Sequence, residues 1–243
     1  MADNLENKVL VITGAGGGIG SAISEKLAQE KLKIVLLGGN NIGNLEKTRS
    51  AVEKYTSCLT IPGNLTDLNF LDNALKKAAD TFGSIDILIN NAGMTHNTPI
   101  EDISEEQFDK IMTINCKVPF FLTQKALPYL KKSTAPTIVN IASVVAHSGY
   151  PMQSVYSASK HAMLGFTKSL AAEYYKDNIR VHAISPGGVF TDMVRISRPD
   201  LTSDGMILSE DIAEIVHFLL THRTNAVIDE ILVHRAGKEP FLV

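Results

Sequence analysis

The sequence predicts an α/β fold: a doubly wound parallel sheet with helices on both faces. Three observations predict it. Short apolar runs alternate with longer stretches of helical periodicity, the β-α-β-α order that sandwiches a parallel sheet. The runs are apolar without strict alternation, as in strands covered on both faces. The first run also opens into a glycine-rich turn, Thr13-Gly14-Ala15-Gly16-Gly17-Gly18-Ile19-Gly20, with a helix behind it.

The candidate strands, in order, are Val9–Thr13, Lys33–Leu37, Cys58–Ile61, Ile85–Asn90, Thr137–Ile141, Arg180–Ser185 and Glu230–Val233. Between the first two, Ile19–Lys31 places Ile23, Leu27 and Ala28 at helical spacing. Ser104-Glu105-Glu106-Gln107 reads as a capping box opening a later helix. Gly83 and Gly149 mark element ends. Pro186–Leu208 carries Gly187, Gly188, Pro199 and Gly205 without a clear period, and a loop of that length is usually functional, often a lid. No linker, repeat or low-complexity stretch intervenes, so residues 1–243 are expected to form one domain.

Composition narrows the function. A hydrophobic share of 44% supports a large core, and a net charge of −3 without a basic cluster leaves no footprint for nucleic acid. There is no apolar run of about 18 residues, the length that suggests a membrane span. The first residues lack the apolar core of a signal peptide. Cys58 and Cys116 are not spaced as a metal clip or redox pair and read as small buried apolar residues, with no metal expected. A soluble, cytoplasmic protein is the simplest expectation.

The glycine loop suits a phosphate. Glycines let the backbone approach a pyrophosphate closely, and a helix N-terminus behind them offers free N–H groups and a positive dipole end. No Gly-Lys-Ser/Thr follows, so the loop is not of the nucleoside-triphosphatase type. A dinucleotide site expects a carboxylate about 20 residues on, at the end of the second strand, to hold the adenosine ribose. That strand ends Leu36-Leu37-Gly38-Gly39-Asn40-Asn41 instead. Nothing there repels a 2′-phosphate and Asn40 and Asn41 can donate to one, which favours NADP(H) over NAD(H). Alternatively, Gly38 and Gly39 simply make a tight turn and either cofactor fits.

Tyr156 and Lys160 stand at i, i+4 at the start of an apolar helical stretch, hence on one face. A neighbouring ammonium and an oxidised nicotinamide would favour tyrosinate and lower the Tyr156 pKa, suiting it to exchange a proton with a carbonyl or alcohol oxygen. Ser143 follows the fifth strand, at the sheet edge where ligands bind, and its hydroxyl can bond a substrate oxygen. Asn115 lies in a long predicted helix with Pro119 four residues on. Proline has no N–H, so the Asn115 carbonyl loses its i+4 donor, and a water there would link Lys160 to solvent. The alternative is a kink that lets the helix follow the sheet. His96, Val145, His147, Tyr150 and Met193 fall near the cleft mouth by position and are candidate substrate contacts, His147 first.

Thr13-Gly-x3-Gly-x-Gly20, Asn90-Asn91-Ala92-Gly93, Asn115, Ser143, Tyr156, Lys160 and Pro186-Gly187 together resemble the short-chain dehydrogenase/reductase family in its compact branch. Much of the body is similar to 3-oxoacyl-acyl-carrier-protein reductases. The resemblance implies a Rossmann-like sheet of seven strands and a catalytic tetrad of Asn115, Ser143, Tyr156 and Lys160. It implies that Gly14, Gly16, Gly18, Ile19, Gly20 and Gly39 cradle the cofactor, with Asn64 and Leu65 near the adenine. It implies that Asn91, Ala92 and Gly93 steady the central strand, that Lys160 also binds the nicotinamide ribose, and that Pro186, Gly187, Val189 and Thr191 meet the nicotinamide end. It implies a homo-oligomer, dimer or tetramer. The helix after Tyr156, small or apolar on nearly every side, fits a second covered face, and the tail Phe241-Leu242-Val243 either tucks against a partner or frays.

Two positions depart from the family pattern. Asn64 stands where an Asp is common, and the last strand is followed by His234-Arg235-Ala236-Gly237 rather than Asp-Gly-Gly. The reading that follows is an NAD(P)-dependent oxidoreductase of a ketone or secondary alcohol. Its rivals are a non-catalytic NAD(P)-binding sensor on the same fold, which has no need of all four tetrad groups, and an epimerase or dehydratase, which generally needs a larger substrate domain.

Overall fold

Strand formation rests on a two-sided apolar pattern. In the computed structural model, which describes residues 4–39, 41–197, 200 and 202–239, Val9–Thr13 forms β1. Leu10 and Ile12 face one side of the sheet and Val9 and Val11 the other, all fully buried. In β2, Lys33–Gly38, Ile34 and Leu36 join the first face and Val35 and Leu37 the second. Burying each such side chain contributes about 1.5–3 kcal/mol, so helices on both faces stabilise the same strand twice over.

The sheet continues with β3 (Cys58–Pro62), β4 (Ile87–Asn90), β5 (Thr137–Ile141), β6 (Arg180–Pro186) and β7 (Glu230–Val233). Seven strands pair in parallel in the order β3-β2-β1-β4-β5-β6-β7. The helices are α1 (Gly18–Ala28), α2 (Ile42–Val52), α3 (Leu68–Phe82), α4 (Glu105–Met112), α5 (Val118–Leu130), α6 (Ser154–Tyr174), α7 (Asp192–Ser197) and α8 (Ser209–Thr221). Ile23 and Leu27 of α1 and Ile212 and Val216 of α8 pack on the first face. Leu71 of α3, Leu122 of α5 and Leu170 of α6 pack on the second. β1 has β2 on one side and β4 on the other, so the strand order reverses beside it. In open α/β sheets that reversal opens a crevice at the carboxyl ends. Among the described residues no helix is long and apolar enough to cross a membrane.

Several boundaries differ from the sequence expectation. β4 starts at Ile87 rather than Ile85, because the Asp86 carboxylate turns to accept the Val9 N–H at 2.9 Å. α1 ends at Ala28 rather than Lys31, which takes a left-handed φ of 58°. The capping box is half made: Ser104 Oγ accepts the Gln107 N–H at 3.2 Å, but the Gln107 amide donates to Thr98 Oγ1 at 3.5 Å instead of reaching back. The segment expected as the irregular loop Pro186–Leu208 contains α7, and its base is clamped where the Phe190 N–H donates to the Ile207 carbonyl at 2.8 Å. Cys58 and Cys116 are half-buried rather than buried. Burial still raises both thiols, Cys58 to about 12, and leaves them poor nucleophiles. Along α6, Ala158, Gly165 and Ala172 are exposed, so the helix is not covered all round within one chain.

Between α4 and α5 the helix widens into a π turn over Thr113–Lys117, with the Val118 N–H donating to the Thr113 carbonyl. Pro119, the second residue of α5, offers no N–H to the Asn115 carbonyl. The change of helical pitch therefore falls just before the proline that the sequence singled out.

Candidate active site

The glycine loop is locked to the end of β4. Gly14 has φ 66°, and a Cβ there would lie 2.9 Å from Ala92 Cα and 2.9 Å from Asn91 Nδ2. Gly20 lets α1 close onto the loop, since a Cβ would come within 2.3 Å of the Gly14 carbonyl oxygen. Asn91 Nδ2 donates to the carbonyls of Thr13 at 3.0 Å and Gly14 at 3.2 Å. Thr13 Oγ1 accepts the N–H groups of Asn91 and Ala92, each at 3.0 Å. The α1 N-cap is Gly17, which makes no side-chain cap, so the first N–H groups of α1 keep their donors open beside the cavity. A Cβ on Gly17 would meet nothing within 4 Å, so the space in front of these N–H groups is open.

On the other side of the crevice stand Ser143, Tyr156 and Lys160. Ser143 follows β5; its hydroxyl donates to the Pro186 carbonyl at 3.3 Å and accepts the Val145 N–H at 3.3 Å, and it stands with Tyr156 in one cavity wall. Tyr156 and Lys160 lie one turn apart on α6, with Lys160 Nζ 5.9 Å from the Tyr156 ring centroid. Lys160 is 4% exposed and donates to the Ile141 carbonyl at 2.8 Å. Burial lowers its pKa to about 8. Burial also raises the Tyr156 pKa, with Ser143 lowering it in part. In the cofactor-free chain desolvation of the phenolate therefore outweighs Ser143, and the lowering expected from the sequence draws also on the charge of an oxidised nicotinamide.

Asn115 is fully buried and acts as a strut. Its Oδ1 accepts the Met94 N–H at 2.8 Å, and its Nδ2 donates to the Met94 carbonyl at 2.8 Å and to Ser159 Oγ at 2.9 Å. It thus ties the segment after Gly93 to α6. A second buried chain, Thr123–Asn90–Asn140–Thr167, anchors α6 to β4, β5 and α5 through bonds of 2.8–3.0 Å.

A cavity of about 870 Å³ joins the two halves. Its wall includes Gly14, Gly18, Ile19, Asn91, Ala92 and Gly93, then Ser143, Tyr156 and Lys160, then Pro186, Gly187, Val189 and Thr191. Val145 and Tyr150 line it as the sequence suggested. Other candidates fall elsewhere. His147 does not line the cavity: its Nε2 pairs with Glu230 Oε1 of β7 at 2.7 Å, an acceptor that Ser185 also uses. Asn64 spends its Oδ1 on the backbone and hydroxyl of Thr66, and Leu65 is buried in the core on the second face. Gly16, Gly20 and Gly39 do not form the wall, and Gly16 and Gly20 serve close packing instead. Asn40 lies outside the described residues, as does the Met193 side chain, although α7 carries its backbone, and so does the tail Phe241–Val243. Sequence reasoning missed Asn44, which reaches the wall because the Asn41 side chain caps α2 by accepting the Asn44 N–H at 3.1 Å. The Asn41-Asn44 capping spacing was a signal that could have found it.

His96 also lies behind the wall. It is 6% exposed, and its Nε2 accepts the backbone N–H of Tyr156 at 3.2 Å, in the first turn of α6. That role requires a neutral ring, and burial holds its pKa below 6.5. His182, buried in β6, is lowered in the same way. An unfolded chain takes up these protons as pH drops below about 6.5 while the folded chain refuses them, so stability is full above that value and lost below it. The urea midpoint is therefore expected to fall between pH 7.5 and pH 5.5, and substituting His96 by Gln, which can still accept the Tyr156 N–H, should flatten part of that fall. A midpoint independent of pH over this range would contradict the assignment.

Comparisons with known proteins agree with this geometry. A family model described as short chain dehydrogenase matches residues 8–202. The chain is similar to the 3-oxoacyl-acyl-carrier-protein reductase FabG of Thermotoga maritima, 32% identical over 240 residues, which cover 94% of this chain and 96% of that one. Among solved structures it is similar to levodione reductase, with a TM-score of 0.87, 30% identity and coverage of 95% and 96% of the two chains. It is also similar to an alcohol dehydrogenase from the archaeon Thermococcus sibiricus complexed with 5-hydroxy-NADP, with a TM-score of 0.88, 25% identity and coverage of 96% and 98%.

Proposed function

The chain belongs to the short-chain dehydrogenase family and is an NAD(P)-dependent oxidoreductase, and within that family we propose that it interconverts a ketone and a secondary alcohol with Tyr156 as the proton donor and acceptor. One observation carries the proposal: Ser143, Tyr156 and Lys160 converge on the wall of the cavity that the open end of α1 also faces.

The cradle fits a dinucleotide. Gly14, Gly18, Ile19 and the α1 N-terminus would hold its pyrophosphate, Lys160 its nicotinamide ribose, and Pro186 to Thr191 its nicotinamide end. When bound, the nicotinamide supplies hydride to a carbonyl carbon or takes it from an alcohol, and in its oxidised form adds a positive charge beside Tyr156. Ser143 then donates to the carbonyl oxygen, where negative charge develops. Tyr156 gives that oxygen its proton in reduction and takes it back in oxidation. Lys160 favours the tyrosinate when the proton has left. A water on the Asn115 carbonyl would carry the proton onward from Lys160, since Pro119 offers that carbonyl no N–H.

NADP(H) is the preferred cofactor in this reading. No carboxylate stands at the end of β2 to repel a 2′-phosphate, and Asn44 adds an amide to the wall at the α2 N-terminus. The small exposed face of α6, with the 46% exposed Phe120 beside Phe166, suits a second subunit and a homo-oligomer. The test of function is loss of NADPH absorbance against ketones, diketones and acetoacetyl thioesters. Turnover is expected, with NADPH binding at least about tenfold tighter than NADH, the worth of one added charge-assisted hydrogen bond. Binding of both cofactors with no turnover across the panel would overturn the catalytic reading.

A further inference from the structure

The segment after β7 is the part of the sequence that the proposed chemistry leaves unused. It carries His234-Arg235-Ala236-Gly237-Lys238. The fold brings it to the catalytic cavity. The Gly187 N–H donates to the Val233 carbonyl at 2.8 Å, so the end of β7 is pinned to the loop that follows β6. The chain then turns back on itself, with the Lys238 N–H on the Arg235 carbonyl at 2.9 Å. His234, Arg235 and Lys238 all line the same cavity as Ser143 and Tyr156.

Arg235 is half-buried there with little to hold. Its stem lies over Gly188, where an added Cβ would come within 3.9 Å of Arg235 Cδ. Its Nη1 meets Met206 Sδ at 3.2 Å. A thioether is a weak acceptor, and a guanidinium carries five N–H donors in a planar fork that matches a carboxylate. No carboxylate among the described residues pairs with it. Two acidic residues share the cavity wall: Asp192, which faces Arg195 at 3.4 Å, and Glu239, which is exposed. A guanidinium that faces a cavity with donors to spare is placed to take an anion that enters it.

We propose that the substrate is an oxo acid, or the matching hydroxy acid, whose carboxylate is taken by the Arg235 guanidinium, with Lys238 adding positive charge at the cavity mouth. This rests on the oxidoreductase reading and names its substrate class. In reduction the carbonyl carbon takes hydride from the reduced nicotinamide and the carbonyl oxygen takes the Tyr156 proton, giving the hydroxy acid and the oxidised cofactor. The carboxylate changes no bonds and serves only to orient.

The test compares 4-oxopentanoate with its methyl ester, and acetoacetate with methyl acetoacetate, in the wild type, R235M and R235K, with 2-pentanone and acetoacetyl coenzyme A as further arms. Each free acid is expected to exceed its ester in kcat/KM in the wild type. R235M should lower the acids about 10- to 100-fold, the range for a hydrogen bond to a charged group, and lower the esters by a clearly smaller factor; R235K should restore part of the loss for the acids. Equal kcat/KM for acids and esters in the wild type overturns the proposal while leaving the oxidoreductase reading intact. So does an R235M effect confined to the coenzyme A thioester, which would assign the arginine to a phosphate, or one confined to the KM for NADPH, which would assign it to the cofactor. If no carbonyl compound turns over, the oxidoreductase reading itself fails. Calorimetric titration of 4-oxopentanoate into the NADP+ complex then decides the site alone: binding in the wild type but not in R235M supports it, and no binding in either overturns it.

Discussion

Tyr156→Phe lowers kcat by about 10²–10⁴-fold, the contribution of a positioned acid–base group, and leaves NADPH affinity unchanged. The phenyl ring keeps the packing of Tyr156 in α6, and the cradle for the pyrophosphate lies across the crevice at Gly14, Gly18 and the α1 N-terminus. The variant loses only the hydroxyl, which shares the cavity wall with Ser143. Steady-state kinetics and a cofactor titration on the same preparation separate the two quantities. A loss shared with Tm and cofactor affinity would mark a structural role for the hydroxyl. Unchanged kcat would remove Tyr156 from the chemistry.

Lys160→Met is expected to make the cofactor-free protein more stable while abolishing activity. The ammonium is 4% exposed, its hydrogen bond goes to the Ile141 carbonyl, and burial lowers its pKa from 10.5 to about 8. A shift of that size opposes folding by about 3 kcal/mol at neutral pH. The cost is full below pH 8, where both folded and unfolded chains are protonated, and is relieved as pH rises toward 10.5, where the unfolded chain also gives up its proton. Methionine fills similar space without the charge. It leaves the Ile141 carbonyl without this donor, at about 1–3 kcal/mol, so the net gain is about 1 kcal/mol. The clearer signature is the pH dependence: stability of the wild type rises between pH 8 and pH 10.5, and in K160M that rise is gone. A K160M protein with the wild-type slope would show that Lys160 is not the group held at low pKa.

The strands and the placement of Tyr156 and Lys160 on one helix face were legible because local spacing carries them. Leu10 and Ile12 against Val9 and Val11 need only period two and cover on both faces. Tyr156 and Lys160 need only one helical turn. What was not legible depends on which distant segments meet. His147 looked free by position, but β7 lies beside β6 and brings Glu230 to it. Asn64 looked ready for adenine, yet its oxygen closes a local turn onto Thr66. Arg235 entered the sequence reading only as a departure at the end of the last strand, because its place over Gly188 follows from the fold of a segment about 50 residues away along the chain. The Tyr156 pKa was legible only in part: the cofactor-free chain raises it, while the expected lowering draws also on the charge of an oxidised nicotinamide. Charge partners can be inferred from spacing, whereas the depth of burial that outweighs them comes from the packing of α6 against β5 and the loop after β4.

The most direct test of the central claim is the pH dependence of both reaction directions in the wild type and in Tyr156→Phe, at saturating cofactor. Burial keeps Tyr156 protonated at neutral pH in the free chain. Carbonyl reduction should therefore be flat through neutrality and fall in alkali, while alcohol oxidation climbs with pH, both governed by one ionisation that Tyr156→Phe removes. Profiles that keep the same ionisation in Tyr156→Phe would contradict the assignment of the proton to Tyr156.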